Sequence, residues 1–147
     1  MSLKPSFTTY PGYGEGATER MGYSQALRLG NIVRTSGQSG WFPNGELPKD
    51  SATQVERAFE NVMQALKSAN PKCEWRHVIS FKSYHMYKEM DAQFPTMVEN
   101  IKRRMPHQPV WMCVGTPYIG LPGLLLEIEA EAYVPDEDGE GEGASKL

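Results

Sequence analysis

Residues 126–132 constrain the fold most strongly, because apolar side chains and glutamates alternate through them without interruption. The apolar set is Leu126, Ile128, Ala130 and Ala132, and the acidic set is Glu127, Glu129 and Glu131. A period of two is that of a β-strand, whose successive side chains point to opposite faces of a sheet. One face therefore packs on a core while the other carries carboxylates. A subunit interface or a ligand cleft would account for this acidic face, and a solvated face is the alternative.

Two segments instead show the helical spacing of apolar residues. The first begins at Ser51 and stops at Asn70-Pro71, and its apolar stripe consists of Val55, Phe59, Val62, Met63 and Leu66. Ser51 and Gln54 predict a capping box at its start. The second covers residues 92–104, with Phe94, Met97, Val98 and Ile101 facing inward. Pro95 is expected in its first turn, where a missing amide hydrogen is tolerated.

Alternation predicts the other strands. They are residues 23–29 and 32–36, joined as a hairpin by Gly30-Asn31, then residues 77–86, 110–116 and 124–134. The order ββ-α-β-α-ββ predicts an α+β domain, with two helices covering one face of a mixed sheet of four to six strands. We interpret residues 1–21 as an irregular N-terminal arm, residues 22–134 as the domain and residues 135–147 as an acidic flexible tail.

Charge is unevenly divided along the chain. The net charge is −3, but the tail alone carries five acidic residues against Lys146, so residues 1–134 balance near +1. A nearly neutral body predicts no general nucleic-acid binding. No apolar run approaches the roughly 20 residues that span a bilayer, so we expect no membrane association. Cys73 and Cys113 lack metal-ligand spacing, and neither a metal nor another cofactor is expected.

The last three residues form a recognised targeting signal. Ser145-Lys146-Leu147 matches the peroxisomal address read by an import receptor, and the Gly- and acid-rich segment before it would present it freely. A chance tripeptide is the alternative. We expect the peroxisomal matrix as the location, with the cytoplasm as the alternative.

Three motifs together resemble the Rid family, also called YjgF or L-PSP proteins. They are the strand ending in Ser36-Gly37-Gln38, the first helix with Gln54 and Asn61-Val62, and the closing Glu-Ile-Glu-Ala run at 127–130. The resemblance implies a chorismate-mutase-like fold assembled as a homotrimer, with a small-molecule ligand in each inter-subunit cleft. It also implies hydrolysis of reactive enamines and imines without a cofactor.

The resemblance assigns the reacting groups and part of the cleft. Glu127 matches the family glutamate that positions water or relays a proton, and Tyr23 stands where the cleft tyrosine stands. Ser36 and Gly37 would offer backbone groups to the ligand. Glu127 and Tyr23 are therefore the candidate catalytic residues, although an interface carboxylate and a packed strand tyrosine are the structural alternatives.

The second half of the cleft departs from the family pattern. Trp111 fills the slot of the arginine in the Pro-x-Arg motif, and Cys113 matches the cysteine two residues later. Phe94 falls where an asparagine is often found. Trp111 cannot pair with a substrate carboxylate as arginine does. We therefore expect Phe94, Trp111 and Cys113 to line a site for a flatter or more apolar ligand, unless Trp111 simply packs at an interface.

Three functions remain open from the sequence. The first is a divergent imine or enamine deaminase with Glu127 as proton relay and a non-standard substrate range. The second is a non-catalytic trimeric protein that binds a small molecule. A ribonuclease or translation inhibitor is the third, and the neutral body argues against it.

Overall fold

In the computed structural model, residues 3–136 form a six-stranded sheet and three helices. The strands are β1 (Ser6–Thr8), β2 (Ala26–Leu29), β3 (Ile32–Thr35), β4 (Val78–Met86), β5 (Val110–Thr116) and β6 (Leu126–Tyr133). The helices are α1 (Tyr13–Met21), α2 (Ser51–Ala69) and α3 (Met90–Arg104), with short 3₁₀ turns at Trp75–His77 and Tyr87–Glu89. The predicted α+β class is confirmed, and no helix between residues 3 and 136 has the length and apolarity to cross a bilayer.

The sheet is mixed, with the order β1-β2-β3-β6-β4-β5. Among the strands of residues 3–136, only β4 and β5 run parallel, joined by the crossover through α3. The last strand, β6, lies in the middle, between β3 and β4. It therefore holds the two halves of the sheet together.

The predicted alternation of β6 is confirmed. Its four apolar side chains are buried in the main core with α2 and α3, whereas its three glutamates remain half-exposed on the other face. Met97 is buried as expected, but Phe94 is 47% exposed at the edge of α3, against the inward position that the spacing predicted. The helical period alone could not show that Phe94 lies at the border of the helix face that packs on the sheet.

Residues 3–21 do not form the irregular arm that we expected from the sequence. β1 pairs with β2, and α1 buries Tyr13 and Ala17 before ending at Gly22, which takes the left-handed conformation. The glycines of α1 concealed the helix because glycine disfavours helical backbone. Gly14 is required there, since a Cβ at this position would lie 2.8 Å from the Thr9 hydroxyl oxygen.

The N-terminus of α2 also differs from the predicted capping box. Asp50 is the N-cap and accepts the Thr53 amide hydrogen at 2.8 Å, while the Ser51 hydroxyl binds Glu89. Asp and Ser are both good N-caps, so composition could not decide between neighbours. Pro95 lies in the second turn of α3 rather than the first, because the helix begins two residues earlier than expected.

Candidate functional site

Gln38 fixes the segment that follows β3 against β6. Its backbone exchanges two hydrogen bonds of 2.8 Å with Ile128. Its buried side chain accepts a hydrogen bond from Tyr10 at 2.7 Å and donates one to Gln25 at 2.7 Å. The Ser36 hydroxyl donates to the Ser24 carbonyl at 2.7 Å. Residues 36–38 are therefore held rigidly beside the acidic face of β6.

Glu127 lies directly against Gly37. A Cβ added to Gly37 would come within 3.0 Å of the Glu127 carboxylate, so the absence of a side chain gives the carboxylate its position. Burial, and then the neighbouring negative charge of Glu129, raises the pKa of Glu127. A half-buried carboxyl group with a raised pKa can take up and release a proton nearer neutrality than an ordinary glutamate.

Tyr13 and Tyr23 lie close to each other, and Tyr13 is near enough to Glu127 to be affected by its charge. Tyr23 is half-buried and packs against a small cluster formed by Tyr13, Ala17, Trp41 and Leu124. Burial chiefly, then the nearby Tyr23 and to a smaller extent Glu127, raise the pKa of Tyr13 to about 12, against the influence of Arg20. The structure therefore brings Gly37 against Glu127 and lines one pocket with Tyr23, Ser36 and Glu129.

The polar residues of α2 anchor the loops around this group. The Gln54 carboxamide donates to the Pro48 and Gly123 carbonyls and accepts the Leu125 amide hydrogen at 3.0 Å. Asn61 donates to the carbonyls of Ser39 and Trp41 at 2.7 and 2.9 Å. These two motif residues thus have a structural role. Asn61 holds the segment that follows Gly37, and Gln54 holds the segment that precedes Glu127.

Trp111 belongs to a second, separate group. Its indole N–H donates to the Ser83 hydroxyl at 2.8 Å, and Ser83 contacts His85 Nε2 at 2.7 Å. His85 Nδ1 in turn meets the Gln93 carboxamide oxygen. Burial lowers the pKa of His85. All three contacts are satisfied if the Ser83 hydroxyl donates to His85 Nε2 and the neutral His85 ring donates its Nδ1 hydrogen to the Gln93 carboxamide oxygen.

The ring of Trp111 is also in contact with other aromatic rings. It stacks with Phe81 of β4 at 5.8 Å between centroids and with Phe94 of α3 at 5.6 Å. Its polar atom and much of its π surface are therefore engaged inside the subunit. Within one chain Trp111 packs at the edge of the core.

Strand register places the two groups on opposite faces of the sheet. Glu127 is paired with Tyr84, whereas Ala130, of the buried set, is paired with Phe81, the strand neighbour of Trp111. Since neighbouring residues in register share a face, Trp111 lies on the helix-covered face and Glu127 on the open face. Cys113 is paired with Ser83 on the helix-covered face and is a half-buried free thiol.

The open face carries charge at its centre and apolar side chains towards its ends. An open pocket of about 410 Å³ is lined by Phe7, Tyr23, Leu27, Ser36 and Glu129 among others. On the far strand, Val110 and Met112 are 68% and 58% exposed. Between residues 3 and 136, no three His, Cys, Asp or Glu side chains are placed to hold a metal ion.

The chain matches the family described as Endoribonuclease L-PSP over residues 17–134. It belongs to the L-PSP family. A relative, the RutC family protein YjgH of Escherichia coli K12, is 31% identical over 115 residues, covering 78% of this chain and 85% of the relative. The resemblance to the Rid, YjgF or L-PSP proteins is thereby confirmed.

Solved structures of L-PSP family proteins share the fold. The YjgH structure superposes with a TM-score of 0.74 at 25% identity, over 93% of this chain and all of the other. Rv2704 of Mycobacterium tuberculosis, described as a member of the YjgF/YER057c/UK114 family, superposes with a TM-score of 0.70 at 25% identity, over 89% of this chain and all of the other.

Sequence reasoning missed two parts of the site. Tyr13 was assigned to an irregular arm, and its contact with Trp41 spans 28 positions with no local signal. The chain of Ser83, His85 and Gln93 left one trace, since Ser83 and His85 follow Phe81 on the same face of β4. Their partner on α3 could not be read from spacing.

Proposed function

We propose that this L-PSP family protein hydrolyses reactive imines or enamines, with Glu127 as the proton relay. The observation that carries the proposal is the half-buried Glu127 carboxyl, with its raised pKa, set against Gly37. Such a group can deprotonate water and later return the proton. A carboxylate on a fully solvated sheet face would lack this environment.

The reaction needs one acid–base group and one hydrogen-bond donor. Glu127 takes a proton from water as the oxygen adds to the imine carbon, and returns it to the imine nitrogen, which becomes an amine. Glu127 then takes the proton of the new hydroxyl and passes it to that amine, so that the C–N bond breaks, ammonia leaves and the carbonyl forms. For an enamine, protonation of the β-carbon and loss of an N–H proton first produce the imine. Tyr23 would donate a hydrogen bond to the reacting nitrogen or oxygen.

A complete cleft requires a second copy of the chain in this proposal. Glu127 and Trp111 lie on opposite faces of one sheet, so they meet only if Trp111 comes from a neighbouring subunit. The exposed Val110 and Met112 at one end of the open face, and Phe7 at the other, are apolar surfaces that subunit contact would cover. We therefore propose a homotrimer, which sedimentation at about 50 kDa would support and a monomer would contradict.

The substrate range follows from Trp111. An indole offers no charge to a substrate carboxylate, so imines of small amino acids should be poor substrates and flatter, more apolar imines better ones. The alternative is a trimer that binds such a molecule without turnover. It is favoured by the engagement of Trp111 with Ser83, Phe81 and Phe94, which is a structural role.

The cellular location is a separate proposal. Ser145, Lys146 and Leu147 lie outside the residues that the structure describes, so the proposal rests on the sequence alone. A fluorescent protein fused to the N-terminus should enter peroxisomes, and removal of Leu147 should return it to the cytosol.

Glu127→Gln tests the function directly, with Glu131→Gln as the matched control. Glu131 lies on the same strand and face but is bound to Arg34. With imines generated in situ from hydrophobic amino acids by an amino-acid oxidase, Glu127→Gln should lower kcat/KM by roughly 10²- to 10⁴-fold, and Glu131→Gln by little. Equal rates in the wild type and Glu127→Gln would refute the relay, and the binding function would become the better account if neither turns over.

A further inference from the structure

A chain of hydrogen bonds leads from Trp111 on β5, across β4, to α3. The Trp111 indole N–H donates to the Ser83 hydroxyl at 2.8 Å, and that hydroxyl meets His85 Nε2 at 2.7 Å. His85 Nδ1 in turn meets the Gln93 carboxamide oxygen. Ser83, His85 and Gln93 are each buried to within 1% of full burial, so bulk water does not compete for these bonds.

The direction of the bonds is fixed from the Gln93 end of the chain. The Gln93 amide nitrogen meets the Leu125 carbonyl at 3.0 Å, and a carbonyl can only accept. The same nitrogen donates to the Ser51 hydroxyl at 3.3 Å, and Ser51 gives its own hydrogen to the Glu89 carboxylate. The NH₂ group of Gln93 is therefore held on this side, and its oxygen faces His85.

The Gln93 oxygen selects one tautomer of His85. An amide oxygen accepts and cannot donate, so the hydrogen of a neutral ring belongs on Nδ1 and Nε2 is bare. Burial favours the neutral ring, because it lowers the pKa of His85. The bare Nε2 accepts the Ser83 hydrogen, and the lone pairs of Ser83 are then turned to the Trp111 N–H.

We propose that His85 is a positioning residue for Trp111: acting through Ser83, it keeps the indole N–H turned into the protein, so a ligand beside Trp111 meets ring carbons alone. The exposed part of the ring lines an open pocket of about 370 Å³, together with Ile101 and Met105 among others. A flat apolar group fits such a lining, whereas a hydrogen-bond acceptor gains no partner from the indole. The proposal rests on the proposed function in taking Trp111 as part of the ligand site.

Gln93→Met tests the proposal, because it removes the oxygen that selects the tautomer and keeps a side chain of similar length. His85 can then donate from Nε2 to Ser83, and the indole must share that oxygen. With this hydrogen bond weakened, the Trp111 indole N–H should exchange with solvent deuterium roughly tenfold faster than in the wild type. The Trp41 indole N–H, which makes a separate hydrogen bond of 2.8 Å, is the control in the same spectra and should not change.

The tautomer is read directly by nitrogen NMR of protein with labelled histidine, assigned with His85→Asn. In the wild type, Nε2 of His85 should give the signal of a bare nitrogen and Nδ1 that of a protonated one. In Gln93→Met the hydrogen should move to Nε2. The ring of His107, which meets the Val78 carbonyl at 2.7 Å, should be the same in both proteins. A purely structural role for Gln93 would leave the His85 tautomer unchanged.

Two spectroscopic results overturn the proposal. One is a wild-type His85 ring with its hydrogen on Nε2, which decides the matter even if Gln93→Met does not fold. The other is unchanged exchange of the Trp111 indole in folded Gln93→Met.

Kinetics with apolar imines test the link to the ligand. Gln93→Met should raise KM about tenfold and leave kcat unchanged, because Glu127 lies on the opposite face of the sheet. An unchanged KM beside a loosened indole also overturns the proposal. A wild type inactive on imines refutes the proposed function, while the NMR readouts still decide the role of His85.

Discussion

The Glu127 and Trp111 groups contrast in the surroundings of their titratable side chains, Glu127 and His85. Around Trp111 the indole, Ser83, His85 and Gln93 form a continuous hydrogen-bonded chain. In the Glu127 group, burial and the neighbouring negative charge of Glu129 raise the pKa of the carboxyl. The difference suggests a division of labour. The hydrogen bonds of the Trp111 group stabilise the fold. The Glu127 carboxyl is instead suited to proton transfer.

Removing the Trp111 side chain should have the largest effect on stability. Trp111→Ala leaves a cavity beside Phe81 and takes the indole donor from Ser83, so the free energy of unfolding should fall by about 3 kcal/mol. Urea denaturation measures this change. The pKa of Glu127 in the same subunit should not change, because Trp111 and Glu127 lie on opposite faces of the sheet. A loss under 1 kcal/mol would show that the group is not a structural unit.

Trp111→Arg should change the substrate range. A guanidinium supplied to a neighbouring subunit's cleft would pair with a substrate carboxylate, raising kcat/KM for imines of small amino acids roughly 10- to 100-fold. Adding Glu127→Gln should abolish the gain. Rates in the wild type that already equal those of an arginine-bearing relative would show that another cation serves the cleft.

Gly37→Ala should affect the Glu127 group alone. The new methyl would lie 3.0 Å from the carboxylate, so Glu127 must shift by a few tenths of an ångström. We expect roughly a tenfold fall in kcat/KM, with the free energy of unfolding changed by less than about 1 kcal/mol. Gly120→Ala, with open space around it, is the control.

The smallest effect, and the most direct contrast, is the opposite pH dependence of the two groups. Because the folded pKa of Glu127 is raised, its contribution favours folding below about 4.5 and is lost as pH rises through the folded pKa. Because the folded pKa of His85 is lowered, its contribution is present above about 6.5 and is lost as pH falls. Unfolding free energies of Glu127→Gln and His85→Asn, each compared with the wild type from pH 4 to 8, should therefore diverge in opposite directions. Parallel curves would contradict the contrast.

Local patterns predicted the regular elements well. β5 coincides with residues 110–116, and the stripe of α2 is buried as its spacing indicated, apart from the half-buried Met63. α1 was missed because its glycines are unfavourable locally and are compensated by tertiary packing of Tyr13 on Trp41. The cap of α2 was displaced by one residue because Asp50 and Ser51 have similar intrinsic preference.

The site was predictable only in part. Alternation placed Glu127 on the open face, and the family motif placed Gly37 nearby. No pattern in the sequence could show that the Trp111 indole N–H binds Ser83, or that His85 links Ser83 to Gln93, because that arrangement depends on how α3 crosses the sheet. The expected ligand wall is, within one subunit, an engaged packing residue.

The central position of β6 has a consequence for biosynthesis. β3 and β4 have no pairing with each other and are joined only through this strand, which is translated after all the others. A nascent chain that ends before Leu126 therefore has two unconnected pieces of sheet with bare inner edges. The domain should acquire protease resistance in a single late step as residues 126–133 emerge, and chains stalled earlier should depend on chaperones.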